Sequence, residues 1–379
     1  MPDNLLIVGF SARAAAASAV RAGFSPLALD FFADQDLQTV GAARGVDCYP
    51  DDLVSAARDM PAAPFLYTGA LENHPEVVNQ IQRTRLLLGN GPAVIQQVRD
   101  PVRLANVCSD AGSPMPPMTR DSANVPLDGN WLRKRERSSG GGSVQVWYGG
   151  RREGHRGDYF QQRLEGLSCS AVFVAVSGTA ILLGTTEQLV GAGWAGARRF
   201  NYSGSIGPLN LNSTIRAAWQ QIGGALADEF NLQGLFNVDA ILQGDRLSPL
   251  EVNPRYSASI EVLERALGIA AVTLHVEACQ GQRFSSTFDV PPQRICGKAV
   301  CYAQRDVTID ARFPRFVLQQ NRALDWPTIA DIPRVGTFIR RGRPLCTVLA
   351  EGPDPGAVES ALQRLAATIQ GFFDVPAPV

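Results

Sequence analysis

Apolar positions fall first in short unbroken runs and only later at helical spacing. Asn4–Gly9 is a short apolar strand, residues 11–22 an alanine-rich helix, and residues 26–30 a second strand, so the chain opens as a strand–helix–strand unit. The turn Gly9-Phe-Ser-Ala lacks the G-x-G-x-x-G spacing of a dinucleotide site. Asp30 stands where dinucleotide folds keep an acid for the ribose, yet without that turn it reads as part of a structural layer lining a substrate cleft. Phe65–Tyr67 predicts a further strand, ending at Thr68-Gly-Ala-Leu-Glu-Asn73. Ligands gather beyond the carboxyl ends of strands in open parallel sheets, so Glu72 and Asn73 are candidate substrate contacts, with capping of the next helix as the alternative. His74-Pro75 marks that helix start.

Pro101 and the cluster Pro114, Pro116 and Pro117 mark the passage out of this first part. Beyond them the spacing of Ile215, Trp219, Ile222, Leu226 and Phe230 predicts an amphipathic helix over Ser213–Phe230, with Ser213 as N-cap. A strand over 234–242, a tight turn over 243–245 and a return strand over 247–252 predict a hairpin. The last hundred residues hold strand-like runs at 298–303 and 345–350. A final helix follows, with Val358, Leu362, Leu365, Ile369 and Phe372 on one face. The pattern is that of an α/β protein in three parts: a Rossmann-like part over 1–99, a central part over 100–280 and an α+β part over 281–379.

Length and composition fit a large globular protein. There are 379 residues, 45% hydrophobic and 19% charged, ample for two or three cores. A formal net charge of −1 argues against a broad nucleic-acid or anionic-membrane surface. No apolar run approaches the ~20 residues of a membrane span, and the start Met1-Pro-Asp-Asn lacks a signal-peptide pattern. Seven scattered cysteines without zinc-type spacing read as reduced thiols of a cytosolic (cytoplasmic) protein.

The hairpin carries the chemistry. Asp239 sits twelve positions ahead of Glu251-Val-Asn-Pro-Arg255, and a hairpin of that length sets Asp239 beside Glu251. The oxygens of Asp239, Glu251 and Asn253 can hold Mg²⁺ between nucleotide phosphates, while Arg255 neutralises the group being transferred. Lysine usage adds to this. Of 35 basic residues only Lys134 and Lys298 are lysines, and a lysine kept against such a bias serves where a compact ammonium is needed. Lys134 runs into Ser138-Ser-Gly-Gly-Gly-Ser143, a loop able to place backbone N–H groups over a phosphate. Lys298 reads as a structural or interdomain contact. His155, among arginines, reads as a surface residue of that lid.

Lys134 with its glycine-rich loop, Phe160-Gln-Gln-Arg-Leu-Glu-Gly166 and Asp239…Glu251-Val-Asn-Pro-Arg255 together resemble an ATP-grasp ligase. More narrowly, the chain is similar to ATP-dependent carboligases related to biotin carboxylase. Thr68-Gly-Ala-Leu-Glu-Asn73, Asp331-Ile-Pro-Arg-Val-Gly336 and other runs extend the resemblance over nearly the whole chain. It implies an α/β (α+β ATP-grasp) architecture: a Rossmann-like pre-ATP-grasp domain over 1–99, an ATP-grasp domain with a mobile lid over 100–280, and a C-terminal domain over 281–379 completing the cleft.

The resemblance further implies particular roles. Lys134 and Arg103 would contact the nucleotide phosphates, and the backbone of Ser139, Gly140, Gly141, Gly142 and Ser143 would close over them. The Gln162 carbonyl and Leu164 N–H would read the adenine edge, and Glu165 would face the ribose. Asp239, Glu251 and Asn253 would hold Mg²⁺, for which Mn²⁺ can substitute, and Arg255 would stabilise the phosphorylated intermediate and counts with Glu72 and Asn73 among the candidate substrate contacts. Two departures stand out: Gln161 where relatives often carry glutamate, and Arg103 where they often carry lysine. ATP-grasp ligases typically phosphorylate a carboxylate and pass the acyl group to an amine, releasing ADP and phosphate. The expected partners are therefore a small-molecule carboxylate and an amine, with a homodimer also implied and with a place in cofactor biosynthesis as an associational pointer. The competing readings are carboxylation through carboxyphosphate and a non-catalytic ATP-binding regulator.

Overall fold

In the computed structural model, which describes residues 4–149, 157–284, 292, 294–321 and 326–374, the opening apolar runs become a parallel sheet. Its strands β1 (Asn4–Gly9), β2 (Ser25–Asp30), β3 (Ala42–Gly45) and β4 (Phe65–Tyr67) lie in the order β3-β2-β1-β4, every pair parallel. Leu5 to Val8 are wholly buried, as continuous apolar runs are when helices cover both faces. Those helices are α1 (Arg13–Arg21), α2 (Gln35–Val40), α3 (Leu53–Asp59), α4 (Pro75–Gln82) and α5 (Pro92–Val98); α6 (Pro101–Asp110) follows. Three of them begin with proline, which lacks only a donor that a first turn leaves unpaired. Asp30 is taken up by the backbone around it. Its buried carboxylate accepts the N–H groups of Ala12, Phe32 and Ala33 and fastens the turns after β1 and β2.

A small antiparallel sheet comes next, made of β5 (Met118–Thr119), β6 (Trp131–Arg135), β7 (Gln145–Val146) and β8 (Asp158–Gln162) in the order β5-β8-β6-β7. Lys134 lies on β6, and the glycine-rich loop links β6 to β7.

The rest of the chain builds one eight-stranded sheet. It holds β9 (Leu167–Val176), β10 (Thr179–Val190), β11 (Tyr202–Gly207), β12 (Gly234–Gln243), β13 (Arg246–Asn253) and β14 (Ile295–Tyr302). The remaining elements are β15 (Val307–Thr308), β16 (Ile329–Ala330), β17 (Phe338–Ile339) and β18 (Pro344–Gly352), of which β15 and β17 form a separate ladder. The large sheet runs β13-β12-β9-β10-β11-β14-β18-β16. Because β11 pairs directly with β14, the sheet passes unbroken through the boundary the sequence suggests near 280.

Helix α7 (Ser213–Phe230) buries Ile215, Trp219, Ile222, Leu226 and Phe230 on one face of this sheet, against Phe173 and Phe236, whose rings stack at 5.0 Å. Its cap is Asn212 rather than Ser213: the Asn212 carboxamide oxygen accepts the Ile215 N–H at 2.9 Å. Both residue types cap helices, and the extended backbone that a cap requires falls one position earlier. Helices α8 (Ala258–Leu267) and α9 (Ala271–Cys279) share the core of the other face with the alanines of α1. Helix α10 (Arg312–Gln320) and α11 (Pro355–Asp374) pack with β14 and β18 in a third core.

Buried charges join these parts. Arg13 on α1 grips Glu261 on α8 and donates to Asp331 (Nε–Oδ1 2.9 Å), while Lys298 on β14 donates to Glu261 at 2.6 Å. Burial alone would raise the Glu261 carboxyl, but Arg13 and Lys298 outweigh it and hold it below the usual carboxylate range. Lys298 thus sits in an inter-element contact. Among the described residues no helix is long and apolar enough to cross a membrane.

Candidate active site

The site is built on the β12–β13 hairpin. Asp239 pairs with Glu251 on one rung, and a bulge immediately after Asp239 shifts the register so that Ala240 meets Pro249. Pro249 is tolerated because β13 is the edge strand. The Asp239 carboxylate is held from several strands. Oδ1 accepts from Gln188 (2.9 Å) and Asn237 (2.7 Å), and Oδ2 accepts from Asn253 (3.2 Å). Asn237 is itself placed by Ser170 on β9. Burial and the facing Glu251 push the Asp239 carboxyl up to about 7.

Arg255 leaves β13 toward the first sheet. Its Nη2 donates to Glu72 Oε1 (2.6 Å) and Asn253 Oδ1 (3.0 Å), and its Nη1 to the Tyr256 carbonyl (3.3 Å). Glu72 is therefore not a helix cap. Burial would raise its carboxyl, but the Arg255 guanidinium holds it below the usual range. Asn73 is not a cap either. Its amide donates to Ser139 Oγ at 2.7 Å, and its oxygen accepts from Arg99 at 2.9 Å.

Those bonds bring the small sheet over the hairpin. Arg99 Nη2 also meets the carbonyls of Glu136 (2.6 Å) and Ser138 (3.2 Å), so one guanidinium fastens the strand end that carries Lys134. Gly140 accepts from the Tyr202 N–H (3.1 Å). Gly141, at φ +74°, lies so close to the Phe200 carbonyl that a Cβ there would fall 1.8 Å from its oxygen. Ser143 donates to Ser138 Oγ at 2.6 Å. Lys134 Nζ donates to Gln161 Oε1 (3.1 Å). Burial would lower the Lys134 ammonium, but Tyr159, Glu251 and Asp239 together raise it, so it lies within electrostatic reach of both hairpin carboxylates.

The structure thus links Asp239, Glu251, Asn253, Arg255 and Glu72 through direct contacts, sets Lys134 within electrostatic reach of the two hairpin carboxylates, and joins Asn73 to Ser139. Arg103 is engaged elsewhere, paired with Glu229 (2.6 Å) with its guanidinium over the Phe230 ring. Arg99, four residues earlier, occupies the junction instead. Gln162 and Leu164 are half-buried and Glu165 is exposed where β8 gives way to β9. His155 lies outside the described residues. The sequence reading gave Arg99, Gln188, Asn237 and Ser170 no role, because their partners Asn73, Asp239 and one another are set by strand pairing and loop packing rather than by local spacing.

The hairpin fits a divalent cation. Two carboxylates face each other across one rung, and burial together with the charge of Glu251 pushes Asp239 toward its neutral form, the imbalance a cation would relieve. Their donors, with the carboxamide of Asn253, are hard oxygens of the kind Mg²⁺ prefers. Among the described residues no group of three His, Cys, Asp or Glu side chains is placed to hold a metal. A cation here would therefore rest on two carboxylates, an amide oxygen and oxygens of its ligand.

Residues 98–259 match a family model described as an ATP-grasp domain. No curated protein matches the chain in sequence. Among solved structures, the biotin carboxylase domain of Hydrogenobacter thermophilus 2-oxoglutarate carboxylase, solved with MgADP, ADP and bicarbonate, is 15% identical. It aligns with a TM-score of 0.71 over 93% of this chain and 87% of its own. L-amino acid ligase from Bacillus licheniformis is 15% identical, with a TM-score of 0.71 over 96% of this chain and 97% of its own. N5-carboxyaminoimidazole ribonucleotide synthetase from Thermus thermophilus is 16% identical, with a TM-score of 0.67 over 96% of this chain and 98% of its own. At such identities the likeness is one of fold. Residues 98–259 thus belong to the ATP-grasp family, and the fold that surrounds them is an ATP-grasp fold.

Proposed function

We propose that the chain is an ATP-dependent, ADP-forming ligase that phosphorylates a small-molecule carboxylate and joins the acyl group to an amine. The observation that carries this reading is the Asp239–Glu251 rung, flanked by Arg255 and within electrostatic reach of Lys134. Asp239, Glu251 and Asn253 would hold Mg²⁺, which when bound supplies charge neutralisation at the nucleotide phosphates. Lys134 and Arg255 would take up the remaining phosphate charge. Phosphoryl transfer asks little of side chains beyond such alignment and neutralisation.

In the first step a carboxylate oxygen bonds to the γ-phosphorus and the bond to ADP breaks. In the second, the amine nitrogen bonds to the acyl carbon, phosphate departs with the electron pair of the C–O bond, and the amine loses a proton. No side-chain nucleophile is needed. An acyl phosphate must be kept from water, and a glycine-rich lid tied by Asn73 and Arg99 serves that end. On this reading residues 1–99 and 281–379 complete the cleft around a nucleotide domain over 100–280. Gln162, Leu164 and Glu165, at the edge where β8 ends, would meet the adenosine. That one structural neighbour is an L-amino acid ligase agrees with this reading.

The test is phosphate release from MgATP, screened against pools of carboxylates and amines, with ADP and AMP separated among the products. ADP and phosphate that appear only with a carboxylate–amine pair support the ligase. Release driven by bicarbonate alone would replace it with carboxylation, and AMP would exclude acyl phosphate chemistry.

A further inference from the structure

All four strands of the first sheet are parallel, so the residues that follow them gather on one side. Phe10 follows β1, Phe31 and Phe32 follow β2, Tyr49 comes shortly after β3, and Glu72 comes after β4. The rings form one cluster: Phe10 stacks on Phe31 at 4.8 Å and meets Tyr49 edge-on at 5.2 Å, and Tyr49 meets His74 at 6.0 Å. The Phe10 N–H donates to the Gly69 carbonyl (3.2 Å), which joins this wall to the loop carrying Glu72. Gly69 in turn lies against Arg255, where a Cβ would sit 3.7 Å from the guanidinium.

Three polar atoms here are left over. Among the described residues, the buried Glu72 Oε2, Arg255 Nε and Tyr49 hydroxyl have no hydrogen-bond partner. Glu72 is only 2% exposed and uses its other oxygen on Arg255. A buried acceptor without a donor costs free energy that a ligand's donor would recover. The Tyr49 hydroxyl lies within electrostatic reach of both Glu72 and Arg255. Phe31, by contrast, leaves more than a third of its surface to solvent, which opens the aromatic wall to a ligand.

We propose that this side of the first sheet seats the amine co-substrate, and that the amine is a primary ammonium attached to an aromatic or bulky apolar body. The ammonium donates to Glu72 Oε2 and the Tyr49 oxygen, and the body rests on Phe10 and Phe31. A small hydrophilic amine would leave the rings uncovered; an anionic body would face Glu72. The assignment rests on the ligase reading, whose phosphoryl centre is joined to this pocket by Arg255.

Calorimetry on the full chain tests it, with phenethylamine as probe, 2-phenylethanol as its uncharged counterpart, and MgATP titrated separately. Phenethylamine should bind at least about tenfold more tightly than 2-phenylethanol, as a hydrogen bond to a charged group implies. Glu72→Gln should abolish that preference, and Phe31→Ala, at an exposed ring, should weaken phenethylamine about threefold or more while leaving the preference. Equal affinity for the two probes, or unchanged phenethylamine binding in both variants, overturns the proposal. Binding of MgATP without phenethylamine overturns this pocket alone. The reverse result retains it and tells against the ligase.

Discussion

Glu251, half-buried, and His275, buried, show how differently two titratable residues can be used. Glu251 faces Asp239 across one rung of the hairpin, an arrangement that suits a cation. Glu251→Gln should lower turnover by about 10²-fold or more, as loss of a charged contact to the transferring group does, while the fold persists. Turnover at the wild-type level in that variant would remove the metal assignment. His275 is satisfied instead. Its Nδ1 accepts the Leu235 N–H (2.9 Å) and its Nε2 donates to the Leu88 carbonyl (3.0 Å), which fixes a neutral ring. Burial lowers its pKa from 6.5 to about 4. The unfolded chain therefore binds the proton first, and stability falls as pH drops from about 6.5 to 4, by roughly 3 kcal/mol for this group. Denaturant unfolding at pH 7 and pH 4.5 checks the sign. Relative to wild type, His275→Gln should lose less stability over that interval.

Among the elements, the lid has the most consequence. Its side-chain hold on the first part of the protein includes Arg99 and Asn73, which meet it at Glu136, Ser138 and Ser139, beside the backbone bond from Tyr202 to Gly140. Arg99→Met should loosen the closed lid and weaken ATP binding about tenfold, as loss of charged hydrogen bonds implies, without lowering the unfolding temperature much. Unchanged affinity by calorimetry would show that the tether does not control closure. The hairpin and helix α7 were legible in the sequence because their signals are local: one short stretch of chain alternates and turns, and five apolar side chains recur at helical spacing. The tether was not. Asn73 and Ser139 stand 66 positions apart, and Glu72 and Arg255 stand 183 apart. No periodicity reports such pairings, so capping of the next helix was the readier reading of Glu72. The resemblance pointed to Arg103 rather than Arg99, although the backbone turn at Asp100 gives Arg99 the approach to the lid and leaves Arg103 to Glu229.

Across the whole molecule, the cores meet at the buried knot of Arg13, Glu261, Lys298 and Asp331. Glu261→Gln leaves two cations with reduced compensation and should cost about 3–5 kcal/mol of stability, the usual penalty for breaking a buried ion pair. A denaturant midpoint close to wild type would mean that the knot is incidental. The sequence reading placed Lys298 in a structural or interdomain contact but not its partners, because a strand's partners are not written in its own residues. The sheet that carries β11 into β14 has a practical corollary. A gene cut near residue 280 would produce two polypeptides with complementary unsatisfied edges, each prone to associate with itself when made alone. Made together in one cell, the same halves carry the means to find each other, so this junction is where a split version of the protein should be built.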